Sequence, residues 1–161
     1  MKKSSILEIA RLVGPKHSLD PYLILAVCEQ ESQDLQQSDE CDQYARRLEN
    51  GFFNRYTKPL NYHEVSEVLL ATSWGIMQTM GMTLIELNYF PLTDIITISL
   101  AIQHYLETPV DQVDCGTRWL RKKIDVDRNV RNGLLRWNGG GNKKYPDEVL
   151  ARQEKLKGLY P

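Results

Sequence analysis

The chain has 161 residues, enough for one domain with a real core and too few for a multidomain machine. Apolar residues make up 42% and charged residues 25%, which excludes a disordered chain. With 20 basic side chains against 21 acidic ones, the formal charge of −1 lacks the excess that by itself draws a small domain onto nucleic acid or anionic lipid.

Helical apolar spacing runs through most of the chain. Ile6, Ile9, Ala10 and Val13 recur at steps of three and four until Gly14-Pro15 stops the helix. A second helix opens with Asp20 as cap and Pro21 in the first turn, and runs to about Ser32 with a stripe of Ile24, Val27, Cys28 and Glu31. Residues 33–59 are polar and read as an irregular excursion with one short helix. Asn61 and Glu64 form a capping box for a helix to Ala71; Gly75 to Met80 suits a short helix ended by Gly81, and Thr83 to Leu87 another. Ile95, Ile98, Ile102 and Tyr105 mark a further helix, with a strand as the alternative because of the β-branched content. Helices follow at Val110 to Ile124 and Val126 to Trp137, Gly139-Gly140-Gly141 breaks the chain, and Pro146 starts the last helix. The expectation is one all-α domain spanning residues 1–161.

The three cysteines, Cys28, Cys41 and Cys115, have no metal-ribbon spacing. Cys28 lies in an apolar run and reads as a buried thiol, whereas Cys41 and Cys115 lie in polar surroundings and are open to pairing in an oxidising compartment. His17, His63 and His104 lack ligand spacing, so neither a metal nor another cofactor is expected. Met1 to Ser5 are basic, but Glu8 and Arg11 interrupt the apolar stretch that a signal peptide needs, and no span crosses a membrane. The expectation is a protein made in the cytoplasm.

Chemistry gathers at three places. Glu31 sits on the apolar face at the end of its helix, where desolvation disfavours a carboxylate and favours the protonated acid that general acid catalysis on an acetal oxygen requires; a helix-terminal glutamate facing solvent or an arginine is the plain alternative. Ser73-Trp74-Gly75-Ile76-Met77-Gln78 packs a hydroxyl, an aromatic, a glycine and an amide into a tight turn, with Ser73 able to cap it or donate to a carboxyl. Trp137-Asn138 places an indole and an amide where a helix meets a glycine loop, a pairing suited to N-acetylated sugars, although core, cap and helix-stop roles explain each residue singly.

At these residues the chain resembles the lysozyme-like lytic transglycosylases and the related bacteriophage muramidases, or endolysins. Ala26-Val27-Cys28-Glu29-Gln30-Glu31-Ser32 is similar to the family's first motif, in which the Glu before Ser is the catalytic acid. Ser73 to Gln78 stands for its Gly-Leu-Met-Gln, Trp137-Asn138-Gly139-Gly140 for its Tyr-Asn-Ala-Gly, and Tyr145 with Val149 for its Tyr-x-x-x-Val; Arg47 to Phe53 looks like a segment of the phage members. Order and rough spacing agree over residues 18–155. Trp137 departs from the family's tyrosine, Thr79 from its aliphatic residue, and the link from Asn138 to Tyr145 is short.

The resemblance implies a goose-type lysozyme-like fold with a substrate groove. It implies cleavage of the β-1,4 bond between N-acetylmuramic acid and N-acetylglucosamine by a monomer, with Ser73 orienting Glu31 or the substrate amide, Gln78, Trp137, Asn138 and Tyr145 lining the groove and Met77 as an apolar wall. In a transglycosylase Glu31 alone is acid and then base, and the sugar's 6-hydroxyl closes a 1,6-anhydro ring. A hydrolytic muramidase commonly adds a second carboxylate, for which Glu49 stands first, with Asp39, Glu40 and Asp42 beside it. Because no export signal is seen, release through a membrane lesion, as for phage lysins, or carriage in a virion or secretion apparatus is implied. The competing readings are a non-catalytic peptidoglycan-binding module and a helical nucleic-acid binder using Arg118, Arg121, Lys122, Lys123, Arg128 and Arg131; such charge more often marks a solvated helix face, so no nucleic-acid partner is expected.

Overall fold

The structure, a computed structural model, describes residues 1–60 and 64–161. In chain order the elements are α1 (Lys3–Val13), a 3-10 turn (Gly14–His17), α2 (Pro21–Glu31), α3 (Gln33–Gln37), β1 (Arg46–Leu48), α4 (Asn50–Phe52), a π turn (Phe53–Thr57), a 3-10 turn (Lys58–Leu60) and α5 (Glu64–Leu70). Then come β2 (Thr72–Trp74), β3 (Thr79–Met80), α6 (Gly81–Glu86), α7 (Ile95–Glu107), α8 (Pro109–Asp127), α9 (Val130–Trp137) and α10 (Tyr145–Leu159). Helix accounts for 69% and strand for 6%, so the chain is mainly α-helical, as its apolar spacing predicts. The backbone forms two compact units, residues 1–41 with 116–161, and residues 42–115. Among the described residues no helix is long and apolar enough to cross a membrane.

In the first unit α2 is central. Asp20 caps it, its carboxylate accepting the Tyr22 N–H at 2.8 Å, and Pro21 fills the first turn where no donor is needed. Every residue from Leu23 to Glu29 is buried, so the helix is covered all round, by α1 and α10, instead of along one stripe. α1 presents Ile6, Leu7, Ala10 and Val13; α10 presents Tyr145, Val149, Gln153 and Leu156 at steps of about one turn. The buried charge in α2, Glu29, is answered by Lys3 at 2.7 Å and Arg152 at 3.3 Å, as a desolvated carboxylate requires. α9 crosses the last turns of α8 at Gly133, where a Cβ would lie 2.7 Å from the Ile124 Cα.

In the second unit β1, β2 and β3 form an antiparallel sheet in that order, with Arg47 opposite Ser73 and Ser73 opposite Met80. This corrects two expectations. Residues 33–59 carry a strand and several short helical turns rather than one helix, and Gly75 to Met80 is a hairpin turn and strand rather than a helix. Thr72-Ser73-Trp74 suits a pleated strand once β1 supplies its hydrogen bonds, and Gly75 takes a φ of +72°, which breaks any helix. Gly81 opens α6 rather than ending a helix; a Cβ there would meet the Leu69 carbonyl at 2.5 Å. α7 is a helix, capped by Asp94 and burying Ile98, Ile102 and Tyr105, so the strand alternative falls. α5 begins at Glu64, and the Asn61 part of the expected capping box, like His63, lies outside the described residues.

All three cysteines are buried and none is joined to another in a disulfide, which corrects both the polar setting expected for Cys41 and Cys115 and the pairing left open for them. Burial, then Cys41 and Glu31, push the Cys28 thiol far above its ordinary range, so it is an inert core residue.

Candidate functional site

The first unit brings Glu31, Trp137 and Tyr145 together. Glu31 is the last residue of α2 and is half-buried. The Trp137 indole Nε1 donates to its Oε1 at 2.9 Å, and the Tyr145 hydroxyl donates to the same oxygen at 2.6 Å. Tyr145 is 3% exposed, and burial, followed by the Glu31 charge, pushes its phenol far above the usual value; it is a permanent donor. The indole N–H can only donate. Both acceptor positions of Oε1 are therefore occupied, while Oε2 accepts no hydrogen bond among the described residues.

The residues beside Glu31 hold the helix end in place. Gln30 donates to Glu148 at 2.9 Å and accepts from the Arg152 Nε at 2.6 Å, and Arg152 also reaches Glu29. Ser32, after Glu31, caps α3 through the Leu35 N–H. Asn138 ends α9; its side-chain oxygen accepts the Asn142 N–H at 2.9 Å and closes the loop through Gly139 and Gly140, whose φ values are +70° and +78°. Gln30, Glu148 and Arg152 carry no short-range signal of this role, because they come from α2 and α10, which lie far apart along the chain.

The second unit holds the remaining predicted residues. Glu49 Oε1 accepts from the Ser73 hydroxyl at 3.1 Å and from the Arg47 Nε at 2.8 Å, which corrects the expectation that Ser73 orients Glu31: its hydroxyl is bonded to Glu49 instead. Gln78, at a φ of +48°, turns its amide back to the Gly75 carbonyl at 2.9 Å. Met77 has no exposed surface and packs the inside of the turn rather than facing a ligand. The turn is pinned by Gln112 of α8, a residue that motif reasoning misses. It is wholly buried, accepts the Ile76 N–H at 2.9 Å and donates to the Leu106 carbonyl at 2.9 Å.

No family model, curated protein or solved structure matches this chain. What the site can do rests on its own chemistry. Among the described residues no group of three or more His, Cys, Asp or Glu side chains could hold a metal ion. The basic face of α8 and α9 is largely answered within the protein: Arg121 pairs with Asp125, Arg131 with Asp147, and the Lys123 ammonium lies 3.9 Å from the Trp119 ring centroid. A carboxyl fixed by two permanent donors through one oxygen, with the other oxygen open, is equipped to give a proton and take one back.

Proposed function

We infer that this chain is a lysozyme-like glycosidase that cleaves the β-1,4 bond between N-acetylmuramic acid and N-acetylglucosamine in peptidoglycan. The observation that carries the reading is the convergence of Trp137 and Tyr145 on Oε1 of Glu31, which unites two of the motifs the resemblance names and leaves Oε2 for the reaction. Glu31 gives its Oε2 proton to the glycosidic oxygen as the C1–O bond breaks. The same oxygen then takes the proton of the sugar's 6-hydroxyl as that oxygen bonds to C1, which closes the 1,6-anhydro ring without a second carboxylate. Asn138 shapes the adjoining loop, while Ser73 and Gln78 are assigned to substrate contact by their motif.

A hydrolytic muramidase is the second reading, and Glu49 favours it. Its Oε1 is held by Ser73 and Arg47, and its Oε2 accepts nothing among the described residues, as a carboxylate that activates water requires.

Dye release from purified cell walls tests the proposal. Wild type clears the walls, and Glu31→Gln loses about 10²- to 10⁴-fold in rate; equal release by both proteins, or none by wild type, refutes it and leaves at most a wall-binding module. Mass spectrometry of the released fragments separates the two chemistries. Ends lighter by one water, undiminished in Glu49→Gln, identify the transglycosylase; hydrated ends that vanish in Glu49→Gln identify the muramidase.

A further inference from the structure

Among residues 42–60 only Thr57 is buried, so β1, α4 and the two turns that follow run along the outside of the second unit. Apart from Glu49 and its partner Arg47, no residue of this stretch enters either reading of the reaction. The stretch is basic. Residues 43–60 hold four cations, Arg46, Arg47, Arg55 and Lys58, against the single carboxylate of Glu49, in a chain whose formal charge is −1. Glu49 answers Arg47 at 2.8 Å, whereas Arg46, Arg55 and Lys58 are exposed and form no ion pair among the described residues.

Apolar side chains are interleaved with these charges. Tyr44 and Tyr56 are half exposed, and Leu48 and Leu60 are each 40% exposed. In β1, at the edge of the sheet, Arg46 and Leu48 stand two positions apart and so share one face of the strand. Arg55 and Tyr56 lie in the π turn, a rare backbone geometry that recurs at functional sites. The Tyr56 ring packs on Phe52 with centroids 4.8 Å apart, and the Arg55 guanidinium lies 5.3 Å from the Tyr56 centroid, a contact that leaves its charge in place. Unanswered cations call for an anionic partner. A single-stranded nucleic acid would need open ring faces for its bases, yet Tyr56 is already engaged by Phe52 and Arg55, and leucines give a base nothing to stack on. Leucines and tyrosines beside cations fit the boundary of an anionic bilayer, where headgroup phosphates take the cations, tyrosines sit at headgroup level and leucines reach the acyl chains.

We propose that residues 44–60 dock the second unit onto an anionic lipid surface, with Arg46, Arg55 and Lys58 on the headgroups and Leu48, Tyr56 and Leu60 in the interface. Docking of this kind is peripheral and needs no turnover, so it stands or falls apart from the glycosidase reading.

Two measurements on the full chain test it. In the first, protein is sedimented with vesicles made of equal parts phosphatidylglycerol and phosphatidylcholine, or of phosphatidylcholine alone. Wild type should partition onto the mixed vesicles only. Loss of each cation should weaken that partitioning about fivefold, so Arg55→Gln combined with Lys58→Gln should weaken it about 25-fold. Lys155→Gln, which removes an exposed cation of α10 in the first unit, should leave it unchanged. In the second, Tyr56→Trp places an indole in the stretch without removing a charge, and mixed vesicles with brominated acyl chains should quench its emission more than that of the wild-type tryptophans. No partitioning of wild type onto the mixed vesicles, an equal loss in Lys155→Gln, or no added quenching overturns the proposal. Binding of a single-stranded oligonucleotide that depends on Arg55 and Lys58, with no binding to vesicles, overturns it too and assigns the surface to nucleic acid. Dye release from walls without vesicle binding keeps the glycosidase and removes the docking surface; vesicle binding without dye release does the reverse.

Discussion

At Glu31 one oxygen accepts two hydrogen bonds and the other accepts none among the described residues. Trp137 and Tyr145 both donate to Oε1, at 2.9 and 2.6 Å, and neither gives up its proton near neutral pH: an indole does not ionise, and the Tyr145 phenol is pushed far upward by burial and by the Glu31 charge. Hydrogen bonds to a charged group are worth about 1.5–3 kcal/mol, so Trp137→Phe and Tyr145→Phe should each lower kcat on purified walls by about ten- to a hundredfold, with KM little changed and a cooperative thermal transition retained. Trp137→Tyr, which restores a donor, should recover most of the rate. Wild-type kcat in either phenylalanine variant would mean that the donors do not position the acid. Residue types and motif order single out Glu31, Trp137 and Tyr145 in the sequence. Their meeting on one oxygen is not legible there, because 106 and 114 positions separate the partners from Glu31.

At the scale of elements, close backbone approaches decide the geometry. Gly133 lets α9 cross α8, and a methyl at that position would sit 2.3 Å from the Ile124 Cγ1 and 2.7 Å from its Cα. A side chain could turn aside, but the backbone of α8 cannot. Gly133→Ala should therefore destabilise the protein by about 1–3 kcal/mol, read as a lower urea midpoint with an unchanged slope, even though alanine is the better helix former. An unchanged or raised midpoint would show that the helices separate freely. The β2–β3 hairpin follows the same logic. Isolated, Gly75-Ile76-Met77-Gln78 reads as a helix start; paired with β1 and pinned by Gln112, it is a turn. The signal in the chain was the run Thr72-Ser73-Trp74 before a glycine, which favours a strand only when a partner strand is present.

For the molecule as a whole, exposed aspartates tie ends and turns together. Asp94 is held below the ordinary value of 3.8 by the backbone N–H of Thr97, and Asp125, Asp127 and Asp147 are held below it by Arg121, Arg136 and Arg131. A folded-state value below the unfolded one gives stability that is complete above the ordinary carboxylate range and is lost as pH falls through the depressed values. The urea midpoint should thus hold steady on acidification to about pH 4 and decline below it, with a smaller decline in high salt because these pairs are exposed and screened. A midpoint that rises below pH 4 would contradict this. The chain by itself determined that the protein is mainly helical, where α1, α2 and α10 lie, and which acid and aromatics are chemically suited to a site, because helical periodicity, caps and residue chemistry are local properties. Only the tertiary structure decided that α2 is covered on every side, that residues 72–80 form a hairpin, that Ser73 bonds Glu49, and that Oε1 of Glu31 is the oxygen held. Those outcomes depend on partners distant in sequence, whose positions are set by the packing of the core.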